Sequence, residues 1–449
     1  VWFAVTFWAY LATESVIVTS VMAGIFTVTV ALSGFMLGSI VDRYKKKTAM
    51  MLSSIATLFF FSLALLIYTS TPPERFTHHA NFELWLFIVA SLAGAIVGNL
   101  RGIALSTLVV ILVPNGERDR ANGMVGTANG VAFLVASILS GLAVGFIGVA
   151  GMLISAIVLT VVAIVHLASL NIGETEVIHA EGHKHSIDIR GSILAIQLVP
   201  GLFGLIFFHT FNNFLGGVFM SLMDPYGLQM VSVQTWGILW GVLSLGFIVG
   251  GLLVAKQGLG KNPLRTLFLT NIATWSICCF FTIQPSIILL AIGMFIFLTL
   301  MPVIEAAEQT ILQRVVPQER QGRVFGLAQS IEQSASPITA FVIGPVAQLI
   351  FIPFMTTGAG VEWIGGWFGS GIDRGLALLF TVTGVIGLAV TLISMRSNAY
   401  HTLSKNYMTH VERAQAEELA REQSLETAQD EQENLFPSAP VVALEEPAT

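Results

Sequence analysis

A chain of 449 residues with 54% hydrophobic and 11% charged residues falls well short of the roughly 25% charge of soluble domains. Its net charge of −6 is uneven, with ten acids against three basic residues from residue 397 onward, which leaves the body before it almost neutral. The two cysteines, Cys278 and Cys279, are adjacent in an apolar run, which excludes a disulfide framework or a metal site built on cysteine spacing. No nucleic-acid-binding charge pattern is present, and the composition fits a polytopic, all-α membrane protein with the lipid bilayer as its solvent.

In chain order, apolar runs predict spans at 1–12, 16–40, 48–70, 84–113, 119–146, 148–170, 192–222, 231–255, 264–284, 286–315, 323–352 and 375–396. Val1 to Ala12 is shorter than the twenty or so residues a spanning helix needs, and is read as the second half of a truncated first helix. Twelve spans place both ends of the chain on one side. Of the 21 Lys and Arg, 18 then fall in loops, tails and span ends on the side of residues 41–47, Arg75 and Arg374 fall on the other, and Arg101 lies within a span. Basic residues collect on the cytoplasmic side, so both ends are expected there. The polar stretch 171–190 divides the chain six spans from six. Its His179, His183 and His185 have a spacing a metal could use, but no cysteine or fixed fold supports them, and a solvated linker is the reading taken. The expected organisation is thus a first bundle at 1–170, a linker at 171–190, a second bundle at 191–398 and an acidic cytoplasmic tail at 399–449.

An internal repeat supports this division. Val113-Pro-Asn-Gly-Glu-Arg-Asp-Arg-Ala-Asn-Gly123 matches Val316-Pro-Gln-Glu-Arg-Gln-Gly-Arg-Val-Phe-Gly326, and each joins two long apolar runs. Parallel repeats of this kind are related by an axis along the membrane normal. Between the second and third spans stands Gly34-Phe-Met-Leu-Gly38-Ser-Ile-Val-Asp42-Arg43-Tyr44-Lys45-Lys46-Lys47. This stretch resembles the signature Gly-x-x-x-Asp-Arg-x-Gly-Arg-Arg/Lys of the major facilitator superfamily. Gly38, Asp42, Arg43, Lys46 and Lys47 fall on the pattern, and Lys45 replaces its glycine. The resemblance implies a twelve-helix fold of two six-helix bundles working by alternating access, with these five residues as a gating motif.

Ionisable residues inside spans are costly and become functional candidates. Arg101 lies thirteen residues before Pro114, about 20 Å from that end at 1.5 Å per residue. Glu305 and Glu308 share a helix face at i, i+3, and Glu332 lies in the next span. His209, Asn212 and Asn213 share a face of the seventh span. In the family, helices 1, 4, 7 and 10 line the central cavity. The resemblance therefore places Arg101, His209, Asn212, Asn213, Glu305 and Glu308 around it, with Trp236 and Trp240 as candidates for an apolar wall. Glu305, the deepest acid, is expected to couple a proton to the solute, opposed by Arg101. Bland readings stand beside these: Glu308 and Glu332 lining a wet vestibule or inner gate, His209 a satisfied interior histidine, Arg101 a structural pair.

No Gly-x-x-x-x-Gly-Lys-Ser/Thr loop, nucleophile elbow or His-Glu-x-x-His is present, so neither ATP hydrolysis nor another enzymatic reaction is expected, and no cofactor. The Val-Pro-x-Glu-Arg loops and short linker look like the macrolide-efflux type of drug–proton antiporter. That resemblance implies a monomeric, proton-coupled exporter of amphipathic molecules, a drug-resistance protein of a bacterial inner membrane. One departure counts against export: Leu134-Val-Ala136-Ser137-Ile-Leu-Ser140-Gly141 lacks the proline of the helix 5 antiporter motif, and only Gly344-Pro345 keeps a trace of it. Uptake or downhill transport of a nutrient or lipid, and a non-transporting membrane sensor or scaffold, stay open.

Overall fold

The structure, a computed structural model, describes residues 1–43, 45–112, 118–171, 196, 199–316 and 321–409. Within them, the backbone alone is described at 31–43, 99, 102, 103, 105–112, 118–129, 313, 321–323, 325 and 326. Among the described residues every regular element is helical. The main ones are α1 (Trp2–Thr13), α2 (Val16–Arg43), α3 (Lys46–Ser70), α4 (Phe82–Leu112) and the long stretch Arg118–Ser169. Gly148, at φ 68°, breaks that stretch, and the arm before it is termed α5 and the arm after it α6. Then come α7 (Leu202–Met230), α8 (Val233–Gln257), α9 (Pro263–Phe280), α10 (Ile287–Val315), α11 (Gln321–Val346) and α12 (Ile372–Met395). Among the described residues seven helices are long and apolar enough to cross a membrane. A helix is the economical spanning element because it satisfies its own backbone where no water is available.

Local chemistry sets the helix ends. Ser232, Asn262 and Ser286 accept from the backbone N–H three residues on, at Thr235, Arg265 and Leu289, and so start α8, α9 and α10. Pro263 fills the first position of α9, where its missing N–H costs nothing. Two boundaries differ from the sequence reading. The seventh span, expected at 192–222, runs instead from Leu202 to Met230. Its polar Asp224-Pro225-Tyr226 is helical and buried rather than a loop. Residues 398–409, expected to begin the tail, form a helix. There Leu403 and Tyr407 pack with Leu205, Phe208, Leu264 and Phe268, and Asn406 donates to the carbonyl of Pro200.

The helices α1–α6 meet α7–α12 along two seams, α2 against α11 and α5 against α8. Both seams rest on small residues. A Cβ on Gly141 of α5 would lie 2.6 Å from the Val233 carbonyl oxygen and 2.8 Å from the Gly237 Cα of α8. A Cβ on Gly344 of α11 would lie 2.7 Å from the Ser20 Cβ of α2. Without a hydrophobic force between helices in lipid, close approach through small residues supplies the packing. These contacts, with the hydrogen bond from Gln229 Nε2 to the Tyr10 hydroxyl at 2.7 Å, lie toward the end of the bundle that carries Glu14. The opposite end carries Lys45, and there Lys47 Nζ donates to the carbonyls of Ala168 and Leu170. This closes the last turn of α6, a residue-specific use of the positive charge at a helix C-terminus.

Candidate functional site

A cavity of about 500 Å³ lies among α7, α9, α10 and α11, in the half of these helices toward the Lys45 end. His209, Asn212 and Asn213 come from α7, Asn271, Thr274 and Trp275 from α9, Glu305, Glu308 and Gln309 from α10, and Gln329, Glu332 and Gln333 from α11. The helical spacings read from the sequence on α7 and α10 therefore do face one space. What the sequence did not supply is the contribution of α9, whose Asn271 and Thr274 look like ordinary polar interruptions of an apolar run. Asn212 orients one wall: its Oδ1 accepts from Trp275 Nε1 at 2.7 Å and its Nδ2 donates to the Phe208 carbonyl at 2.7 Å.

The charged groups fall into two kinds. His209 and Glu308 are buried and paired, Nδ1 to Oε2 at 3.0 Å. The Glu308 and Glu332 carboxyls are within hydrogen-bonding reach of each other, with Glu332 also buried. A hydrogen bond between two carboxyls requires an O–H on one of them. His209, Glu308 and Glu332 thus form a chain of three groups from three helices that can hold and pass a proton. Two atoms of this chain, His209 Nε2 and Glu332 Oε1, are buried without a partner. Glu305 is of the second kind, exposed to the cavity. Its i, i+3 spacing does bring it to the same wall as Glu308, but its expected role as the deep acid, costly to leave unpaired, does not match that exposure.

Other candidates lie elsewhere. Arg101 is half-buried on α4, donates from Nε to the Gly98 carbonyl at 3.5 Å, and is neither paired with Glu305 nor part of the described cavity lining. Trp236 and Trp240 do not line the cavity either. Both donate their indole N–H to Asp224 Oδ1, at 3.0 and 2.9 Å, beside the α5–α8 seam. The apolar part of the cavity wall is supplied by Trp275, Phe297, Met301 and Ile304. Asp224 itself, a buried carboxylate inside α7, was not singled out from the sequence because it was placed beyond the span. Arg374, expected in an outer loop, is fully buried. It donates to the carbonyls of Thr282 and Ile283 at 2.6 and 3.2 Å and lies 4.5 Å from the centre of the Phe368 ring. Of the gating motif, Lys46 is buried at the start of α3 and Lys47 caps α6. Of Gly38, Asp42 and Arg43 only the backbone, within α2, is described, and the linker histidines 179, 183 and 185 lie outside the described residues. Among the described residues no cluster of His, Cys, Asp and Glu has the arrangement of a metal site.

Seams of α2 with α11 and of α5 with α8, and a polar cavity among α7, α9, α10 and α11, mark a polytopic membrane protein with an internal polar site. The family model described as "Major Facilitator Superfamily" matches residues 1–340, and the chain belongs to that superfamily of membrane transporters. The chain is 22% identical over 279 residues to an uncharacterized MFS-type transporter, YjbB, of Bacillus subtilis (strain 168), covering 60% of this chain and 67% of that protein. Among solved structures, its fold is similar to a bacterial homolog of the human lysosomal transporter Spinster, inward-facing and unoccupied. The TM-score is 0.60 at 15% identity, over 91% of this chain and 95% of that one. The nucleoside transporter NupG gives a TM-score of 0.61 at 12% identity, over 88% of this chain and 97% of that one. A D-xylose-proton symporter gives 0.55 at 13% identity over 87% of each chain. At these identities the structures share the fold alone.

Proposed function

We propose that this transporter is a proton-coupled secondary carrier that moves a small organic molecule by alternating access, in the export direction. The single observation behind this reading is the buried chain His209–Glu308–Glu332 at the wall of a polar cavity. Unpaired charge is expensive at membrane depth, so these groups gain or lose a proton as water reaches or leaves the cavity. The role assigned from the sequence to Glu305 passes to this chain, because a coupling group must change its surroundings during the cycle and Glu305 is already open to the cavity. The Lys45 end carries the basic residues and is taken as cytoplasmic in a bacterial inner membrane, with both ends of the chain on that side and the two bundles joined by the 171–190 linker. Seams at the Glu14 end fit a conformation open to the cytoplasm, with proton entry from outside as the driving half-step of an antiporter.

A second reading, uptake of a polar solute with a proton, is favoured by the amide-rich wall of Asn212, Asn213, Asn271, Gln309, Gln329 and Gln333. The test is flux in proteoliposomes under an imposed pH gradient. Wild-type protein is expected to accumulate solute against the proton flow, and Glu308→Gln to lose accumulation while keeping solute binding. Solute moving with the protons selects the second reading. Full accumulation by Glu308→Gln removes the proton role from this chain.

A further inference from the structure

At the Lys45 end, the second bundle carries bases without acids. Lys256, Lys261, Arg265, Arg396 and Lys405 are all exposed there, and no Asp or Glu occurs between Asp224 and Glu305 or within 375–409. Among the described residues none of these five bases enters an ion pair. Three of them are gathered where the 398–409 helix crosses the start of α9. Asn262 Nδ2 donates to Ser404 Oγ at 2.9 Å, which brings their chain neighbours Lys261 and Lys405 to one place. The Tyr400 ring meets Phe268 of α9 edge-on, centroids 4.9 Å apart, and Arg265 lies close enough to act on the Tyr400 hydroxyl. Arg265 also ends an apolar stripe. Leu269, Ala273 and Phe280 are exposed on its face of α9, turned away from Asn271, Thr274 and Trp275, which line the cavity. Residues at this spacing share one side of a helix, so the stripe faces the hydrocarbon of the bilayer and Arg265 stands where it ends.

We infer that this corner binds an anionic phospholipid of the leaflet at the Lys45 end, with its phosphate among Lys261, Arg265 and Lys405 and its chains along Leu269 and Phe280. The inference does not rest on the carrier reading. Charge complementarity selects the headgroup, because no protein acid neutralises these bases among the described residues. The stripe selects a lipid over other anions, since chains lying against Leu269 bring a phosphate to the level of Arg265. The chain's own acids from Glu412 onward also complement the bases, but they have no use for the apolar half of the site. A free phosphate has none either. Arg adds a planar fork that matches a phosphate bidentately, and each base near an anionic lipid contributes about fivefold in affinity. Because Lys405 belongs to the 398–409 helix and Arg265 to α9, a lipid held between them ties that helix to the bundle.

The matched probes are dioleoyl phosphatidylglycerol and dioleoyl phosphatidylcholine, which share their chains and differ in headgroup charge. They are added in equal amounts to the purified full chain in detergent, and retained lipid is counted by native mass spectrometry. Phosphatidylglycerol is expected to be retained at least tenfold over phosphatidylcholine. Arg265→Gln with Lys405→Gln should cut that preference at least tenfold, and Arg265→Lys with Lys405→Arg should keep most of it. Arg75→Gln, at the opposite end of the bundle, should leave it unchanged. All three positions are exposed, so the variants should keep the wild-type thermal melt. Excess inorganic phosphate should not displace the lipid; displacement would make this a free-anion site and overturn the inference. Changing Glu412, Glu417, Glu418 and Glu422 together to Gln should leave the preference as it is. A clear gain would assign the bases to the acidic tail and also overturn it, as would equal retention of the two lipids or a preference indifferent to the Arg265→Gln, Lys405→Gln pair.

Discussion

Gly141 on α5 meets Gly237 on α8 so closely that a single methyl group should shift the conformational balance. A Cβ there would sit 2.6 Å from the Val233 carbonyl oxygen, 2.8 Å from Gly237 Cα and 3.1 Å from Gly237 N. All three are backbone atoms, so no side chain can swing away, and relief requires the helices to part. Overpacking of this kind costs about 1–3 kcal/mol. If α5 and α8 separate at the Glu14 end in the alternate conformation, Gly141→Ala penalises only the state described here, and that cost becomes a population shift of about 5- to 150-fold. Spin labels at Phe82 and Trp363, 72% and 75% exposed on the two sides of that end, report the change as a distance distribution. The background would be Cys278→Ala and Cys279→Ala, since both thiols are free. Gly141→Ala should enlarge the long-distance population, and Gly251→Ala, where a Cβ meets nothing within 4 Å, should not. A folded Gly141→Ala protein with the wild-type distribution would refute the claim that this contact holds the Glu14 end shut.

Arg374→Met should lower the melting temperature in detergent. It removes charge-assisted hydrogen bonds to the Thr282 and Ile283 carbonyls just past the end of α9, a loss of about 1.5–3 kcal/mol, and an unchanged melt would show those carbonyls satisfied otherwise. Truncation after residue 409 should leave the melt unaltered. Truncation after residue 397 should lower it, because Leu403 and Tyr407 then no longer cover Leu205, Phe208, Leu264 and Phe268, at about 1.5–3 kcal/mol for each large apolar side chain lost from burial. Equal melts for the two truncations would make the 398–409 helix dispensable.

The fold was legible because its signals are long and redundant. Apolar runs, basic turns and the repeat centred on Pro114 and Pro317 all constrain the same helices. Within the site, periodicity delivered the neighbours that share one helix, such as Glu305 with Glu308 and His209 with Asn212. It could not deliver pairings between helices, because rotation of one helix about its axis leaves its own pattern unchanged. So the bond from His209 to Glu308, the approach of Glu332 to them and the entry of α9 into the wall needed the three-dimensional structure. Depth counted along a helix also misjudged burial: Glu305, three residues deeper in the span than Glu308, is the more exposed of the two because its side chain faces the open cavity. Charge without an evident partner misled in the opposite direction at Arg374, which was placed in an outer loop and is buried against two carbonyls and Phe368.

Asp224 is the sharpest such case, and its chemistry gives a test of geometry against charge. Trp236, completely buried, and Trp240, partly buried, both donate to the same oxygen, Oδ1. One carbonyl-type oxygen has two lone pairs and can accept both bonds. The amide oxygen of Asp224→Asn can therefore take the place of Oδ1, and the loss should be about 1 kcal/mol for each of the two bonds, the difference between a charged and a neutral acceptor. Asp224→Ala removes the acceptor altogether. It strands the Trp236 N–H in a buried site, at a cost of about 1–3 kcal/mol, and the half-buried Trp240 adds less. Trp236→Phe in the Asp224→Ala background removes the stranded donor, so the double variant should recover part of the stability lost by Asp224→Ala alone; neighbours of this kind are expected to be non-additive. Thermal melts of the four proteins in one detergent decide the matter. If Asp224→Asn falls as far as Asp224→Ala, the negative charge rather than the acceptor geometry holds the two indoles beside the α5–α8 seam.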